Sequence, residues 1–204
     1  MDTKTKILET ADRMFRERGY KAVTMDMLAA EVGMSKKTLY QHYENKTDLV
    51  EAVRDVSYKE YHKAFADIAE KAENAIEAFL GFNKLLLEIS RNANPMAFYE
   101  LERFFPQVYE IFRNELLKQS IEITRKNLEQ GIKEGLYRPE INLDLLSYYR
   151  VDSALMSMHG DTLMYKAGFS LEQISRDTAE HFLYGLLTPA GVKVYQKLIQ
   201  KQPE

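Results

Sequence analysis

The chain has no cysteine and no tryptophan, and it contains little glycine or proline. Because it has no thiol, it cannot form a disulfide, a thiolate metal site or a cysteine nucleophile. Nine glycines and five prolines among 204 residues also exclude the fibrous and low-complexity classes. The remaining composition, 45% hydrophobic and 29% charged, is ordinary for a soluble globular protein that buries a substantial core.

Long apolar runs are missing as well. No stretch approaches the roughly 18 apolar residues of a membrane-spanning helix. Residues 1–15 are charged throughout, whereas a secretory signal has an apolar centre. We therefore expect a cytoplasmic protein without membrane contact.

The usual motifs of catalytic and metal sites are absent from the sequence. Its four histidines form no i, i+4 pair and no H-E-x-x-H motif. There is also no G-x-S-x-G nucleophile motif and no P-loop. We expect no catalytic residues, no metal, no cofactor and no enzymatic activity.

The chain as a whole has no excess of positive charge. Its net charge of −3 by itself argues against a nucleic-acid partner. However, residues 1–46 carry nine Lys and Arg against seven Asp and Glu, a balance of +2, while the remainder carries 19 against 24. Because salt screens charges beyond about 8 to 10 Å, this local balance matters more for phosphate contact than the total does.

Helical patterns fill the chain. Apolar residues recur three and four positions apart, and neither sustained period-two alternation nor an Asn-Gly hairpin turn appears. We predict an all-α fold in which a small three-helix bundle, residues 1–61, is joined to a larger helical domain, residues 62–204. The first helix should cover residues 3–18, with Thr3 as its cap and Gly19 at its end.

Residues 24–43 have the pattern of two short helices joined by a tight turn. Thr24 is placed to cap the first helix, Gly33 to end it and Ser35 to cap the second. Leu39 can face inward against the first helix. That helix carries an apolar stripe at i, i+3, i+4 and i+7, formed by Met25, Leu28, Ala29 and Val32. The segment is typical of a helix-turn-helix.

The outward face of the second helix contains no acidic residue. A solvated helix face normally mixes both charge signs, so a plain solvated face is the simpler but less fitting alternative. This face offers phosphate donors, hydrogen-bonding groups for base edges, and a methyl group or a ring for thymine. Its residues are Lys36, Lys37, Thr38, Tyr40, Gln41 and His42. We interpret it as a recognition helix for the major groove of DNA.

The residues around this motif resemble the DNA-binding domain of the tetracycline repressor (TetR) family. They are Gly19-Tyr20, Val23-Thr24, the turn LAAEVGMS of residues 28–35 and TLYQHYENK of residues 38–46. The resemblance covers the first 60 residues or so. It implies that phosphates are held by Thr24, Ser35, Tyr40 and Lys46. It also implies that base edges are approached by Lys36, Lys37, Thr38 and His42.

Two predicted helices near the end of the chain, residues 143–165 and 171–187, are apolar over more than one stripe. The spare face of each helix must bury against something, and internal packing is one solution. We favour a homodimer in which these two helices from each subunit form a four-helix bundle, as the resemblance implies. Such a dimer can place two recognition helices in successive major grooves, about 34 to 36 Å apart, and read a palindromic DNA operator.

The larger predicted domain is rich in aromatic residues. Most of them should be plain core, but apolar pockets between helices bind small molecules where a few polar groups converge. The resemblance implies such a pocket and therefore a small-molecule effector. The candidate pocket residues are Tyr99, Phe112, Tyr149, Asp152, Met156 and His159.

The function expected from these patterns is sequence-specific transcription regulation. The protein should be a repressor that a small-molecule effector releases from its palindromic operator. A DNA-binding factor of the same fold without an effector is one alternative. A pure interaction module, in which the outward face of the second helix does not touch DNA, is another.

Overall fold

The computed structural model describes residues 2–92, 95–158 and 162–200. Within these ranges the chain is almost entirely helical, and the only β-structure is one isolated bridge between Tyr137 and Leu187. The helices are α1 (Thr3–Ala22), α2 (Met25–Val32), α3 (Lys36–His42), α4 (Lys46–Lys71), α5 (Ala75–Asn92), α6 (Pro95–Phe104), α7 (Pro106–Lys133), α8 (Leu143–Met158), α9 (Leu163–Lys166), α10 (Leu171–Leu186) and α11 (Pro189–Gln200). The predicted all-α fold is confirmed.

The chain forms two compact units. Unit 1 contains residues 1–62 and 92–116, and unit 2 contains residues 63–91 and 117–204. The segment 92–116, which the sequence analysis placed in the larger domain, therefore packs with the amino-terminal helices. The reason is apolar burial, because this segment adds Ala97, Leu101 and Val108 to the core of unit 1. The functional division at residues 61 and 62 stays a prediction.

The core of unit 1 is built from the stripes that the sequence shows. Phe15 of α1, Leu28 and Val32 of α2, and Leu39 of α3 are all almost completely buried together. The apolar stripe of α1 packs on α2, as predicted, but it also packs on α6, which the sequence analysis had placed in the larger domain. This small core fixes the orientation of α3 on the unit.

The first helix begins at Thr3 as predicted, but its cap differs, and it continues to Ala22 beyond a break at Gly19. Asp2, and not Thr3, holds the cap position, and its side chain makes no capping bond. Its backbone carbonyl instead accepts a hydrogen bond from the Lys6 N–H at 3.1 Å, so Thr3 is the first helical residue and not the cap. Gly19 breaks the regular helix as expected, because its φ of +80° is open to glycine and strained for other residues. The break lets the Tyr20 ring stack on Phe15, with 4.7 Å between ring centroids.

The core of unit 2 gathers buried residues from α5, α7, α10 and α11. Its most completely buried members are Ile76, Leu128, Tyr137, Leu183 and Leu186. The Ser170 and Gln173 capping box that opens α10 is present as predicted.

Two features of the carboxy-terminal helices were not predicted. The expected helix over residues 143–165 is α8, which ends at Met158, followed by the short α9, which Thr162 caps. Helix α11 was missed entirely, although Pro189 suits a first helical position and Thr188 can cap it. The Thr188 hydroxyl accepts a hydrogen bond from the Gly191 N–H at 3.1 Å. Among the described helices, none combines the length and apolar character needed to cross a bilayer.

Candidate nucleic-acid interface

The turn between α2 and α3 is held by side-chain caps at both helices. The Thr24 hydroxyl accepts from the Met27 N–H at 3.2 Å, and the Ser35 hydroxyl accepts from the Thr38 N–H at 3.1 Å. Gly33 has φ +78° and ψ +36°, the left-handed conformation that ends a helix sharply. The predicted capping and ending residues of the helix-turn-helix are therefore confirmed.

Helix α3 presents two different faces. On its inner side Leu39 is fully buried, and Tyr43, just beyond the helix, packs in the same core beside Ala29 of α2. The outer side carries only basic, hydroxyl, amide and aromatic groups. Exposed on it are Lys36, Lys37, Tyr40, Gln41 and His42, and Thr38 is half-buried. The structure thus brings the predicted base-contacting residues together on one solvent-facing surface.

The side chain of Lys36 is engaged in an ion pair. Its Nζ lies 2.8 Å from the Asp26 Oδ1 atom of α2, and both side chains are largely exposed. The hydrogen bond to Asp26 raises the pKa of the Lys36 ammonium, followed in size by the Coulomb attraction of the same carboxylate. To reach a base edge, Lys36 must exchange this carboxylate for DNA. Exposed ion pairs are weak, so the exchange is inexpensive.

Lys46 occupies a less open position than the other predicted contacts. Its ammonium donates a hydrogen bond to the Tyr20 backbone carbonyl and lies 5.8 Å from the centroid of the Phe105 ring. Partial burial lowers the pKa of Lys46. The neighbouring Asn45 side chain caps α4 through the Asp48 N–H at 3.0 Å. The phosphate role of Lys46 stays a prediction, and it requires the ammonium to leave the Tyr20 carbonyl.

Two long-range contacts behind the interface were missed by the sequence analysis. Asp12 of α1 pairs with Arg54 of α4, with 2.8 Å between Oδ1 and an Arg54 Nη atom. Glu100 of α6 accepts a hydrogen bond from the Lys21 backbone N–H at 2.9 Å. Each pair joins residues at least 42 positions apart, so no local pattern points to it. Both pairs fix α1, on which the helix-turn-helix packs.

The predicted pocket residues are divided between the two units, and their role in a pocket stays a prediction. In unit 1, Tyr99 is exposed, while Phe112 is buried with its ring 5.4 Å from the Arg54 guanidinium carbon. In unit 2, the exposed face of α8 carries Tyr149, Asp152 and Met156. His159 lies outside the described residues. The inward stripe of α8 is instead made of Ser147, Arg150, Val151 and Ala154.

A small, partly open cavity lies in unit 2, between α5, α8 and α10. The space in it that the centre of a water molecule can occupy is about 10 Å³. This volume is close to the smallest that can hold one water molecule. The residues around it are Asn83, Leu86, Ser90, Arg150, Ala154, Leu171, Ser175 and Thr178. The sequence analysis missed Arg150 as a cavity residue. Its spacing could have indicated this position, because Arg150 is a charged residue three positions after Ser147 on the inward stripe of α8.

Residues 7–53, which hold the caps, the turn and α3, match the profile of the family described as bacterial regulatory proteins, tetR family. The repressor KstR2 of Mycobacterium tuberculosis is 27% identical over 156 residues, which cover 75% of this chain and 78% of KstR2.

Two solved structures with similar folds are a regulator of Saccharomonospora viridis in complex with choline and AibR in complex with isovaleryl coenzyme A and operator DNA. The first has a TM-score of 0.73 and 18% identity, covering 91% of this chain and 97% of the other. AibR has a TM-score of 0.60 and 18% identity, covering 88% and 97%. Residues 7–53 therefore form a DNA-binding domain of the type found in the tetR family of bacterial regulatory proteins, and the fold of the chain is similar to that of these two solved regulators.

Proposed function

We propose that the protein is a cytoplasmic, dimeric transcriptional repressor that binds a palindromic operator and is released by a small-molecule effector. The observation that carries DNA binding is the outer surface of α3, which is free of acidic residues and is fixed by capped turns at both ends. The repressor relatives and the operator complex of AibR support the same activity. DNA reading is the domain-level role of residues 1–61, and effector binding and dimerisation are the roles of residues 62–204.

The contacts to DNA are proposed to divide into phosphate and base contacts. Phosphates would be held by Thr24, Ser35, Tyr40 and Lys46, and base edges by Lys36, Lys37, Thr38 and His42. Phosphate contacts carry no sequence information, whereas base contacts specify the site. Removal of a phosphate contact should therefore weaken binding to every DNA sequence, whereas removal of a base contact should change the sequence preference.

Replacement of Tyr40 with phenylalanine and of Lys36 with alanine tests this division. Tyr40→Phe removes a phosphate-binding hydroxyl and keeps the ring, so we expect every DNA sequence to bind about equally less well. Lys36→Ala should weaken the preferred site by about 1 to 3 kcal/mol and relax the preference at one or two base pairs. Titration of the operator and of single-base variants by fluorescence anisotropy measures both effects. Equal losses on all sequences for both proteins would refute the assignment.

The surface proposed for dimerisation is the exposed face of α8 and α10. Large apolar side chains on this face remain 46% to 63% exposed in the subunit. They are Leu145, Tyr148, Tyr149, Met156 and Tyr184. Grouped exposed apolar residues of this kind mark association surfaces. A two-fold bundle of α8 and α10 from two subunits would cover them and hold two α3 helices at operator spacing.

Gly185 on this face gives a sharp test of the dimer. A Cβ atom added at Gly185 meets nothing within 4 Å in the subunit, so Gly185→Arg leaves the subunit fold intact. In the proposed interface the added guanidinium would be buried without a partner, which is strongly unfavourable. We expect a monomer by sedimentation velocity at micromolar concentration and a large loss of operator affinity. The exposed Lys133→Arg variant of α7 is the control and should stay dimeric. A dimeric Gly185→Arg protein would contradict this interface.

The effector is proposed to act by preferring a conformation that does not bind DNA, since only differential affinity can shift such an equilibrium. Helix α6 is the candidate moving part. It packs on α1 through Leu101 and Glu100, and along the chain it follows directly after α5, which lines the cavity of unit 2. A shift of α6 would therefore displace α1 and the helix-turn-helix that rests on it.

One observation favours a second candidate function, a DNA-binding factor without an effector. The cavity of unit 2 is far smaller than the roughly 300 to 1,000 Å³ of typical ligand pockets. The two functions differ in whether operator affinity responds to any small molecule that raises the melting temperature of the protein. A ligand that stabilises the protein and weakens operator binding supports the repressor with an effector. Stabilising ligands that all leave operator affinity unchanged support the factor without one.

A further inference from the structure

Arg150 of α8 is a buried cation in the middle of unit 2. Its side chain is only 8% exposed, and it borders the cavity between α5, α8 and α10. Its guanidinium carbon lies 5.5 Å from the Phe79 ring centroid and 5.9 Å from that of Phe182. The two rings are themselves stacked, 6.0 Å apart. Arg150 is therefore held in a largely buried and aromatic environment.

Within the described part of the chain, Arg150 forms no ion pair with a carboxylate. One of its Nη atoms donates a hydrogen bond to the Asn83 side-chain oxygen. Asn83 is oriented for this by its own amide group, which donates to the Phe79 carbonyl at 2.7 Å. A guanidinium has five N–H donors, and Asn83 and the rings are neutral partners. Among the residues that the structure describes, no negative charge thus compensates the buried positive charge.

Such an arrangement is unfavourable for the unliganded protein. Burial lowers the pKa of Arg150 to about 10, well above neutral pH, so the group stays charged and keeps its desolvation penalty. Buried charges are normally paired or coordinated. An anion that enters the cavity would supply the missing partner, and the low polarity around it would strengthen the attraction.

We propose that Arg150 binds the carboxylate of a small amphipathic effector, seated between α5, α8 and α10. This inference rests on the proposed effector-responsive function and names the chemical class of the effector. One guanidinium balances one negative charge, which fits a carboxylate better than a phosphate monoester with a charge of about −1.5 to −2. Apolar residues beside the cavity suit the hydrocarbon part of the molecule, namely Leu86, Ala154 and Leu171.

The size of the cavity connects binding to switching. With about 10 Å³ of free space, α5, α8 and α10 must move apart to admit a molecule larger than water. A ligand that binds only the opened arrangement has the differential affinity that a population shift needs. Helix α5 leads into α6 along the chain, so opening at the cavity has a covalent route to unit 1.

The first test measures the unliganded protein. Arg150→Met replaces the buried charge by an apolar chain of similar length. If the charge is uncompensated, the full-length variant should melt about 2 to 10 °C higher than the wild type in ligand-free buffer. Differential scanning fluorimetry is sufficient for this comparison. A lower melting temperature would mean that Arg150 is a structural group satisfied by Asn83 and the rings, and it would overturn the proposal.

The second test uses octanoate, octanamide and octyl phosphate as probes in isothermal titration calorimetry. Octanoate should bind the wild type, and octanamide, which lacks the charge, should bind at least about tenfold more weakly. Arg150→Met should lose this discrimination, and Arg150→Lys should retain part of it because the charge remains. The exposed Arg113→Met of α7 is the matched control and should bind octanoate normally. Absence of octanoate binding, or equal binding of octanamide, contradicts the proposal, and tighter binding of octyl phosphate contradicts the carboxylate class.

These readouts are independent of DNA. If octanoate binds through Arg150 but operator affinity does not change, the site exists and the proposed switching function fails. If the protein binds its operator and responds to neutral ligands only, the function stands and the Arg150 proposal fails.

Discussion

Replacement of Asp12 with alanine is expected to lower the free energy of unfolding by about 3 to 5 kcal/mol. Asp12 pairs with Arg54, whose side chain is only 10% exposed and lies 5.8 Å from the Tyr20 ring and 5.4 Å from the Phe112 ring. The Arg54 Nε atom is already buried without a hydrogen-bond partner among the described residues. Without Asp12, a buried guanidinium would lose its carboxylate, and breaking a buried pair on one side is strongly destabilising.

The measurement is urea unfolding followed by circular dichroism. Asp55→Ala is the matched control, because Asp55 pairs with Lys59 where both side chains are more than 60% exposed. That change should cost less than about 1 kcal/mol. The double variant Asp12→Ala, Arg54→Met should recover part of the loss, since it removes the orphaned charge. Equal effects of Asp12→Ala and Asp55→Ala would show that the Arg54 pair does not stabilise unit 1. Because α1 supports the helix-turn-helix, Asp12→Ala should also weaken operator binding.

Replacement of Gly131 with alanine should strongly destabilise unit 2, although it adds only one methyl group. A Cβ atom at Gly131 would lie 2.1 to 2.5 Å from atoms of the Tyr137 ring. Tyr137 is 1% exposed, and its hydroxyl donates to the Ala75 carbonyl at 3.2 Å, so the ring cannot move without losing that bond. Overpacking of this kind costs about 1 to 3 kcal/mol, and here the lost hydrogen bond adds about 1 kcal/mol.

The same substitution at Gly185 provides the control for Gly131→Ala. Gly185 is exposed within α10, and a Cβ atom there meets nothing within 4 Å in the subunit. Because alanine favours a helix over glycine, Gly185→Ala should raise the free energy of unfolding by about 0.5 to 1 kcal/mol. Urea midpoints of the two variants should therefore shift in opposite directions. A urea midpoint of Gly131→Ala equal to or above that of the wild type would contradict the packing of Tyr137 on Gly131.

The local features of the fold could be predicted from the sequence because they depend on neighbouring residues. The caps at Thr24, Ser35 and Ser170 are formed within three positions, so residue type and spacing are enough. The left-handed turn at Gly33 and the buried Leu39 follow from equally short patterns. These features include the whole helix-turn-helix, which is why its geometry was predictable.

The features that escaped prediction depend on distant residues or on the choice of helix face. The Arg150 contact with Asn83 spans 67 positions, and no spacing rule reveals it. The side of α8 that faces inward was also not predicted, because the buried stripe is offset from Tyr149, Asp152 and Met156. The role of these three residues in a ligand pocket stays a prediction. The engagement of Lys46 with the Tyr20 carbonyl likewise depends on how α4 meets the end of α1. Tertiary packing decided each of these positions.

The measurement that tests the central claim most directly is selection of bound sequences from a random duplex library, at near-physiological salt, with the purified full-length protein. We predict enrichment of a palindrome whose half-sites are centred about one helical turn apart, the spacing that two α3 helices of a two-fold dimer would read. A parallel selection with Lys36→Ala should return the same spacing with relaxed bases in each half-site. Recovery of no enriched sequence, or of an unpaired half-site, would contradict a dimeric reader of DNA built on α3.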